Sequence, residues 1–329
     1  MASSGESAEA PPNIVVLTGS AHPALGAEVA RELGMPLGVC RTARFPDGEI
    51  QVEIDDLEVE GEDVAIVQPT PSGAAARGDA LLELLFIADA CHRGGAASIF
   101  AVVPYFGYAR QDARKLSGVP LGARVVTRLL GTAPFERVVT VDPHSDVLGA
   151  CLDAPMVSLS AVPLLVEALD GELAERERDL VVVAPDVGAV RLAREYARRL
   201  RAPVAVAYKV RTSGAEVSIE RIAGDVRGRR PIIVDDMITT GGTMVAAAGA
   251  VQAEGSLSDV TVAATHAVLT PGAMDRLREA GLRRVVVTDT LASSASEYGA
   301  TVVSVARLLA ASIRHVAMRR RRAQLVLHP

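Results

Sequence analysis

The chain has 329 residues, 49% of them apolar and 3% aromatic, with a formal charge of −6. That length allows one large or two ordinary domains with a full core. The acidic balance argues against a general nucleic-acid binder, and the long uncharged stretch 237–253 is broken by Gly241 and Gly242, which argues against a membrane span.

Residues 1–12 are small and acidic, without the basic and apolar parts of a signal or transit peptide, and read as a disordered tail. Apolar, β-branched runs at 14–17, 64–68, 99–103, 138–141, 180–184, 204–206, 232–234, 260–264 and 285–288 predict strands. Helical periodicity lies between them, at 80–92, 121–130, 189–200, 244–253 and 273–280. Strands buried on both faces and alternating with helices imply an α/β chain with mostly parallel sheets. A weak repeat, 64–106 against 231–269, predicts two similar halves split near 155–163. The charged stretch 170–179 reads as an exposed connection into the second half. Cys40, Cys91 and Cys151 have no paired spacing, so they read as free thiols in a reducing cytosol, and none is proposed as a nucleophile.

Five clusters stand between these elements. Arg44-Phe-Pro-Asp-Gly-Glu49 carries a Pro-Asp-Gly turn ahead of an alternating strand at 50–54, the pattern of a hairpin. Tyr105-Phe-Gly-Tyr-Ala-Arg-Gln-Asp112 concentrates aromatics in an aromatic-poor chain. Its Arg110 is able to stack on a base and pair a phosphate, or to form a surface salt bridge. Asp142-Pro-His-Ser-Asp146 puts His144 between acids at a strand end, which suits a metal, a polyphosphate or a structural role. Asp186, after the strand at 180–184, either binds Mg²⁺ or caps the following helix. Lys209 and Arg211 predict a basic loop, either solvated or closing over a transferring phosphoryl group.

The most informative stretch is Ile232-Ile-Val-Asp-Asp-Met-Ile-Thr-Thr-Gly-Gly-Thr243. Burying Asp235 and Asp236 unpaired is costly, so they are expected at the strand's carboxyl end, facing a polar ligand. The loop Thr239, Thr240, Gly241, Gly242 and Thr243 offers hydroxyls and backbone N–H groups at a helix start, a cradle for phosphate. Carboxylates beside a phosphate loop point to a sugar phosphate.

This loop resembles the PRPP-binding loop of phosphoribosyltransferase-type folds. Together with Phe45-Pro-Asp-Gly-Glu49, Tyr108-Ala-Arg-Gln-Asp112, Asp142-Pro-His144, Pro185-Asp186 and Lys209-Val-Arg211, in that order, the chain from 14 to 309 resembles ribose-phosphate pyrophosphokinases. The resemblance implies two phosphoribosyltransferase-like domains, an ATP-side domain at 13–157 and a ribose-5-phosphate-side domain at 158–317, with a basic tail at 318–329. It implies a cytoplasmic Mg²⁺-dependent enzyme that moves a diphosphoryl group from ATP to ribose 5-phosphate. It further implies a homo-oligomer built from dimers, with a hexamer among the options, and no nucleic-acid or membrane partner. By matching position, Phe45, Asp47 and Glu49 would hold the adenine of a neighbouring subunit, and Arg110 and Gln111 would contact ATP within the subunit. His144 and Asp186 would bind Mg²⁺, and Lys209 and Arg211 would stabilise the transferring group. Asp235 and Asp236 would take the ribose hydroxyls, and the 239–243 loop the 5-phosphate.

The chain departs from the family pattern at Thr239, where an Asp is common, and at Ala113, where a basic residue is usual, with Arg114 and Lys115 next to it as substitutes. It also departs in the 71–79 stretch, read as a loop, and at Glu60, where phosphate-activated members use Arg. A carboxylate repels phosphate, so weak phosphate and ADP regulation is expected. The run Arg319-Arg-Arg-Arg322 reads as the solvated end of a last helix. The competing functions are a weakly active or non-catalytic regulatory paralogue and a PRPP-consuming phosphoribosyltransferase.

Overall fold

The computed structural model describes residues 13–327 apart from 72, 115–116, 174–178, 214–215 and 283. The predicted tail at 1–12, Lys115 and the middle of the 170–179 connection therefore lie outside the described residues.

The first half runs β1 (Ile14–Thr18), α1 (Pro23–Leu33), β2 (Cys40–Arg44), β3 (Ile50–Ile54), α2 (Asp56–Val59), β4 (Asp63–Val67), α3 (Ala74–Arg93), β5 (Ser98–Val102), α4 (Gly122–Leu130), β6 (Arg137–Val141), α5 (Val147–Cys151) and β7 (Met156–Leu159). The second runs α6 (Val162–Leu173), β8 (Leu180–Ala184), α7 (Val190–Leu200), β9 (Val204–Ser213), β10 (Glu216–Ala223), β11 (Arg230–Ile238), α8 (Gly242–Ala253), β12 (Thr261–Ala267), α9 (Ala273–Glu279), β13 (Arg284–Thr288), β14 (Thr301–Val303) and α10 (Ala306–Leu327).

A parallel sheet of order β1-β4-β5-β6-β7 fills the first half, with β2-β3 as a separate antiparallel hairpin. The second sheet is β10-β9-β8-β11-β12-β13-β14, parallel except where β10 pairs with β9. Every residue of β4, β5 and β8 is buried, because helices cover both faces. The predicted repeat is visible as β4-α3-β5 and β11-α8-β12, each two neighbouring parallel strands joined by one helix.

One core runs through both halves. Val16, Phe100 and Val139 of the first sheet share a buried cluster with Leu165 and Leu169 of α6, Val182 and Val234 of the second sheet, and Leu309 and Ile313 of α10. Each such Leu or Ile contributes about 1.5–3 kcal/mol by leaving water. The expected break at 157/158 falls inside β7, which pairs with β6 through Leu159. The expected basic tail at 318–329 is helical as far as Leu327, and its Arg320 binds buried Asp63 rather than solvent, because a buried carboxylate needs a cation. The stretch read as a loop at 71–79 is mostly the start of α3, whose Asp79 pairs with Arg44.

In the second sheet the chain steps from β8 to β9 and β10 on one side, then returns to build β11 to β14 on the other. The reversal lies between β8 and β11. In open α/β sheets the crevice above such a reversal is where ligands bind.

Candidate active site

β11 is paired with β8 only as far as Ile233, whereas its pairing with β12 continues from Asp235 to Ile238. Asp235 and Asp236 thus lie towards the carboxyl end of the strand, as expected, although β11 runs on to Ile238 past the predicted 232–234: one flank is held by β12, while the other opens onto the crevice. Burial, and then the charges of Asp236 and Asp186, hold the Asp235 carboxyl well above the usual range. The Asp236 N–H donates to Asp235 Oδ1 at 2.9 Å.

Asp236 meets a residue from the other half. Its Oδ2 lies 2.6 Å from Nδ1 of His144, on the β6–α5 loop. That hydrogen bond raises the His144 pKa against burial. Burial pushes the Asp236 carboxyl up, but the bond and charge of His144 outweigh it and leave Asp236 below its ordinary value. Burial thus opposes the charge of Asp235, while the bond between His144 and Asp236 favours the charged form of each, so the two neighbouring carboxyls are driven apart by their surroundings.

The β6–α5 loop is held by Asp142. Its Oδ2 accepts from the N–H of Ala161 at 2.9 Å and from Oγ1 of Thr265 at 2.7 Å. Its carbonyl accepts from Nε2 of His266 at 3.1 Å, which leaves His266 Nδ1 to accept from Thr290 Oγ1 at 2.9 Å. His266 is fully buried, and desolvation lowers its pKa. The Tyr105 ring tilts against it with centroids 4.8 Å apart.

The 239–243 loop joins β11 to α8. Its carbonyls are held from behind: Thr239 O accepts from the N–H and Oγ1 of Thr270, at 2.9 and 3.2 Å, and Thr240 O accepts from Nη1 of Arg276 at 2.9 Å. Gly241, at the N-cap of α8, has φ 77°, and Thr240 Oγ1 accepts from the N–H of Gly242 at 3.4 Å. Backbone N–H groups at the start of that helix are the natural partners of an anion. Thr270 and Arg276 carry no motif of their own and were not expected.

Arg110 is exposed, and its charge acts on both His144 and Tyr105. Gln111 packs so closely on Gly122 that a side chain there would strike its carboxamide. Asp186 Oδ1 accepts from the N–H of Ala189 at 3.2 Å in the turn ahead of α7, a helix that has no side-chain cap, while its charge reaches Asp235. Phe45, 46% exposed, sits at the β2–β3 turn, where Gly48 donates to its carbonyl at 2.8 Å and Asp47 Oδ1 accepts from the N–H of Glu49 at 3.2 Å. Among the described residues no hydrogen bond or ion pair joins Phe45, Asp47 or Glu49 to the His144–Asp236 cluster. Lys209 and Arg211 belong to β9, opposite Ile219 and Val217 of β10. The expected basic loop is a strand hairpin, because 204–213 finds an antiparallel partner; a cation–π contact, Arg221 over Tyr208 at 4.4 Å, ties the two strands. The side chains of Lys209 and Arg211 lie outside the described residues.

Among the described residues no three His, Cys, Asp or Glu side chains are spaced as a complete metal cage. Mg²⁺ does not require one: it keeps waters and uses one or two carboxylates plus substrate phosphates. A buried carboxyl repelled by two neighbouring acids, beside a histidine oriented through Nδ1 by a carboxylate, fits such a hard cation.

Comparison with known proteins agrees with this architecture. Residues 14–133 match the N-terminal domain of ribose phosphate pyrophosphokinase, and residues 158–287 match the phosphoribosyl transferase domain. A ribose-phosphate pyrophosphokinase of Burkholderia pseudomallei is 42% identical over 284 residues, 86% of each chain. One from Chromobacterium violaceum is 40% identical over 308 residues, 92% of each chain. The crystal structure of phosphoribosylpyrophosphate synthetase from Mycobacterium smegmatis superposes with a TM-score of 0.84 at 38% identity, covering 93% of this chain and 99% of that one.

Proposed function

The chain belongs to the ribose-phosphate pyrophosphokinase family, and from that premise we propose that it moves the diphosphoryl group of MgATP onto the C1 hydroxyl of ribose 5-phosphate, giving PRPP and AMP. The observation that carries the proposal is the 2.6 Å contact between His144 of the first half and Asp236 of the second, beside the 239–243 loop. It joins an ATP-side loop to a ribose-phosphate cradle across the sheet reversal.

In this reading the 239–243 loop takes the 5-phosphate on its backbone N–H groups and hydroxyls. Asp235 and Asp236 accept the ribose 2- and 3-hydroxyls and fix the sugar ring, which leaves the C1 oxygen facing ATP. That oxygen attacks the β-phosphorus; its new P–O bond forms as the bond from Pβ to the α–β bridging oxygen breaks, and AMP departs. Phosphoryl chemistry of this kind asks the protein for positioning and charge stabilisation more than for a nucleophile. Lys209 and Arg211, on the β9–β10 hairpin, would meet the charge growing on the transferred group. Arg110 and Gln111 would hold ATP within the subunit. Phe45, Asp47 and Glu49 would hold the adenine of a neighbouring subunit in a dimer-based homo-oligomer, which is consistent with an exposed Phe45 at a hairpin tip. His144 and Asp186 would hold Mg²⁺, which supplies neutralisation of polyphosphate charge.

Glu60 supports weak regulation by phosphate and ADP; an activity curve rising several-fold with added phosphate would contradict it. The deciding assay is incubation with ribose 5-phosphate and MgATP. AMP and PRPP in equal amounts support the proposal. Absence of both supports the regulatory paralogue, and PRPP consumption with a nucleobase supports the transferase.

A further inference from the structure

We infer that Asp142 is a positioning residue for this reaction: it clamps the β6–α5 loop onto β12 of the second half and so aims His144 at Asp236. The inference rests on the proposed ribose-phosphate site.

Four bonds converge on this one residue. Its N–H donates to Leu159 O at 2.8 Å, its carbonyl accepts from His266, and a single side-chain oxygen accepts from Ala161 N–H and Thr265 Oγ1. The contacts to Thr265 and His266 bridge the halves. Two residues further on, His144 makes the next contact between the halves. Asp142 also has φ 35°, a left-handed conformation that a non-glycine residue keeps only where its surroundings hold it there. The bonds to β12 supply that hold. They also commit Oδ2 to two protein donors, so its geometry is that of a fastener. The loop is thus pinned at Asp142, two residues before the His144 side chain that meets Asp236.

The test compares Asp142→Ala, Asp142→Gly and Asp142→Asn in the full chain, each checked for folding by thermal melting. Ala and Gly delete the acceptor; Gly also removes the strain. Asn keeps an oxygen for both donors, tolerates the left-handed backbone and removes only the charge. The expected result is a kcat lower by about ten- to a hundredfold in Ala and Gly, the loss typical of a small misplacement. The KM for ribose 5-phosphate should stay within about twofold, and Asn should remain within about threefold of the parent. In crystals of the Ala variant, His144 should move out of hydrogen-bond range of Asp236. Thr265→Val, which deletes one donor and leaves Asp142 in place, gives the same direction if the Ala variant fails to fold. An Asn variant as poor as Ala would overturn the inference, because charge and not aim would then matter. A Gly variant with parental kcat, or an Ala variant keeping the 2.6 Å contact, would overturn it too. If the parent chain forms no PRPP, the site reading fails, while the His144–Asp236 distance still decides the role of Asp142.

Discussion

Nη1 of Arg320, near the end of the last helix, lies 2.6 Å from Oδ1 of Asp63, at the first residue of strand β4. Asp63 is 2% exposed and also accepts from Oγ of Ser98 at 2.6 Å. The same guanidinium pairs with Glu136 at 2.9 Å and donates to the carbonyl of Ala97 at 2.7 Å. One residue of the C-terminal helix thus fastens the starts of several first-sheet strands. Removing it takes the cation away from a buried carboxylate. Arg320→Met is expected to cost about 3–5 kcal/mol of stability, the range for breaking a buried pair from one side. Denaturant unfolding checks this, and the double variant Arg320→Met with Asp63→Asn should recover part of the loss. Equal losses in the single and double variants would count against the pairing.

Asp235 carries the clearest conflict between stability and use. Its carboxyl is buried and repelled by Asp236 and Asp186. Asp235→Asn keeps the shape and removes a charge that burial and the two neighbouring acids oppose. The substrate-free protein is expected to melt at the same temperature or higher, while turnover with ribose 5-phosphate falls by about two orders of magnitude through lost contacts to the sugar. A melting point lowered by several degrees would show that the carboxylate supports the fold.

The His144–Asp236 pair predicts a pH window for the metal-free protein. His144 has a raised pKa, so its contribution is complete below the ordinary value of 6.5 and fades as pH rises through the raised one. Asp236 has a lowered pKa, so its contribution is complete above 3.8 and fades as pH falls through the lowered one. The pair is therefore strongest between those ordinary values. Melting curves of the parent and His144→Gln, recorded in chelator across pH 4 to 9, should differ most from the acidic end up to the ordinary histidine value of 6.5 and converge at alkaline pH. A gap that widens with rising pH would contradict the assignment.

Gly241 holds φ 77°, and a Cβ there would come 3.2 Å from both the carbonyl of Ala273 and Leu277. Gly241→Ala should strain the phosphate loop by about 1–3 kcal/mol. The expected readout is a KM for ribose 5-phosphate raised about tenfold, with a much smaller change for ATP. Equal effects on both substrates would remove the loop from the sugar-phosphate site.

Much of the second-half site was legible because it is local in sequence. An apolar run ending in Asp235 and Asp236, then hydroxyls and glycines ahead of a helix, specifies strand, acids and helix-start loop within a dozen positions. The β9–β10 hairpin was not legible: its outer part is polar, and an edge strand needs no apolar alternation on both faces.

By itself, the sequence determined the alternation of strands and helices, the two related halves, and which side chains are candidates for the chemistry, since burial patterns and turn residues act over a few positions. Only the tertiary structure decided which of them meet. His144 reaches Asp236 across 92 residues, Asp142 reaches Thr265 across 123, and Arg320 reaches Asp63 across 257. Such pairs follow from how two sheets and a shared core set loop against loop, and local propensity has no term for that.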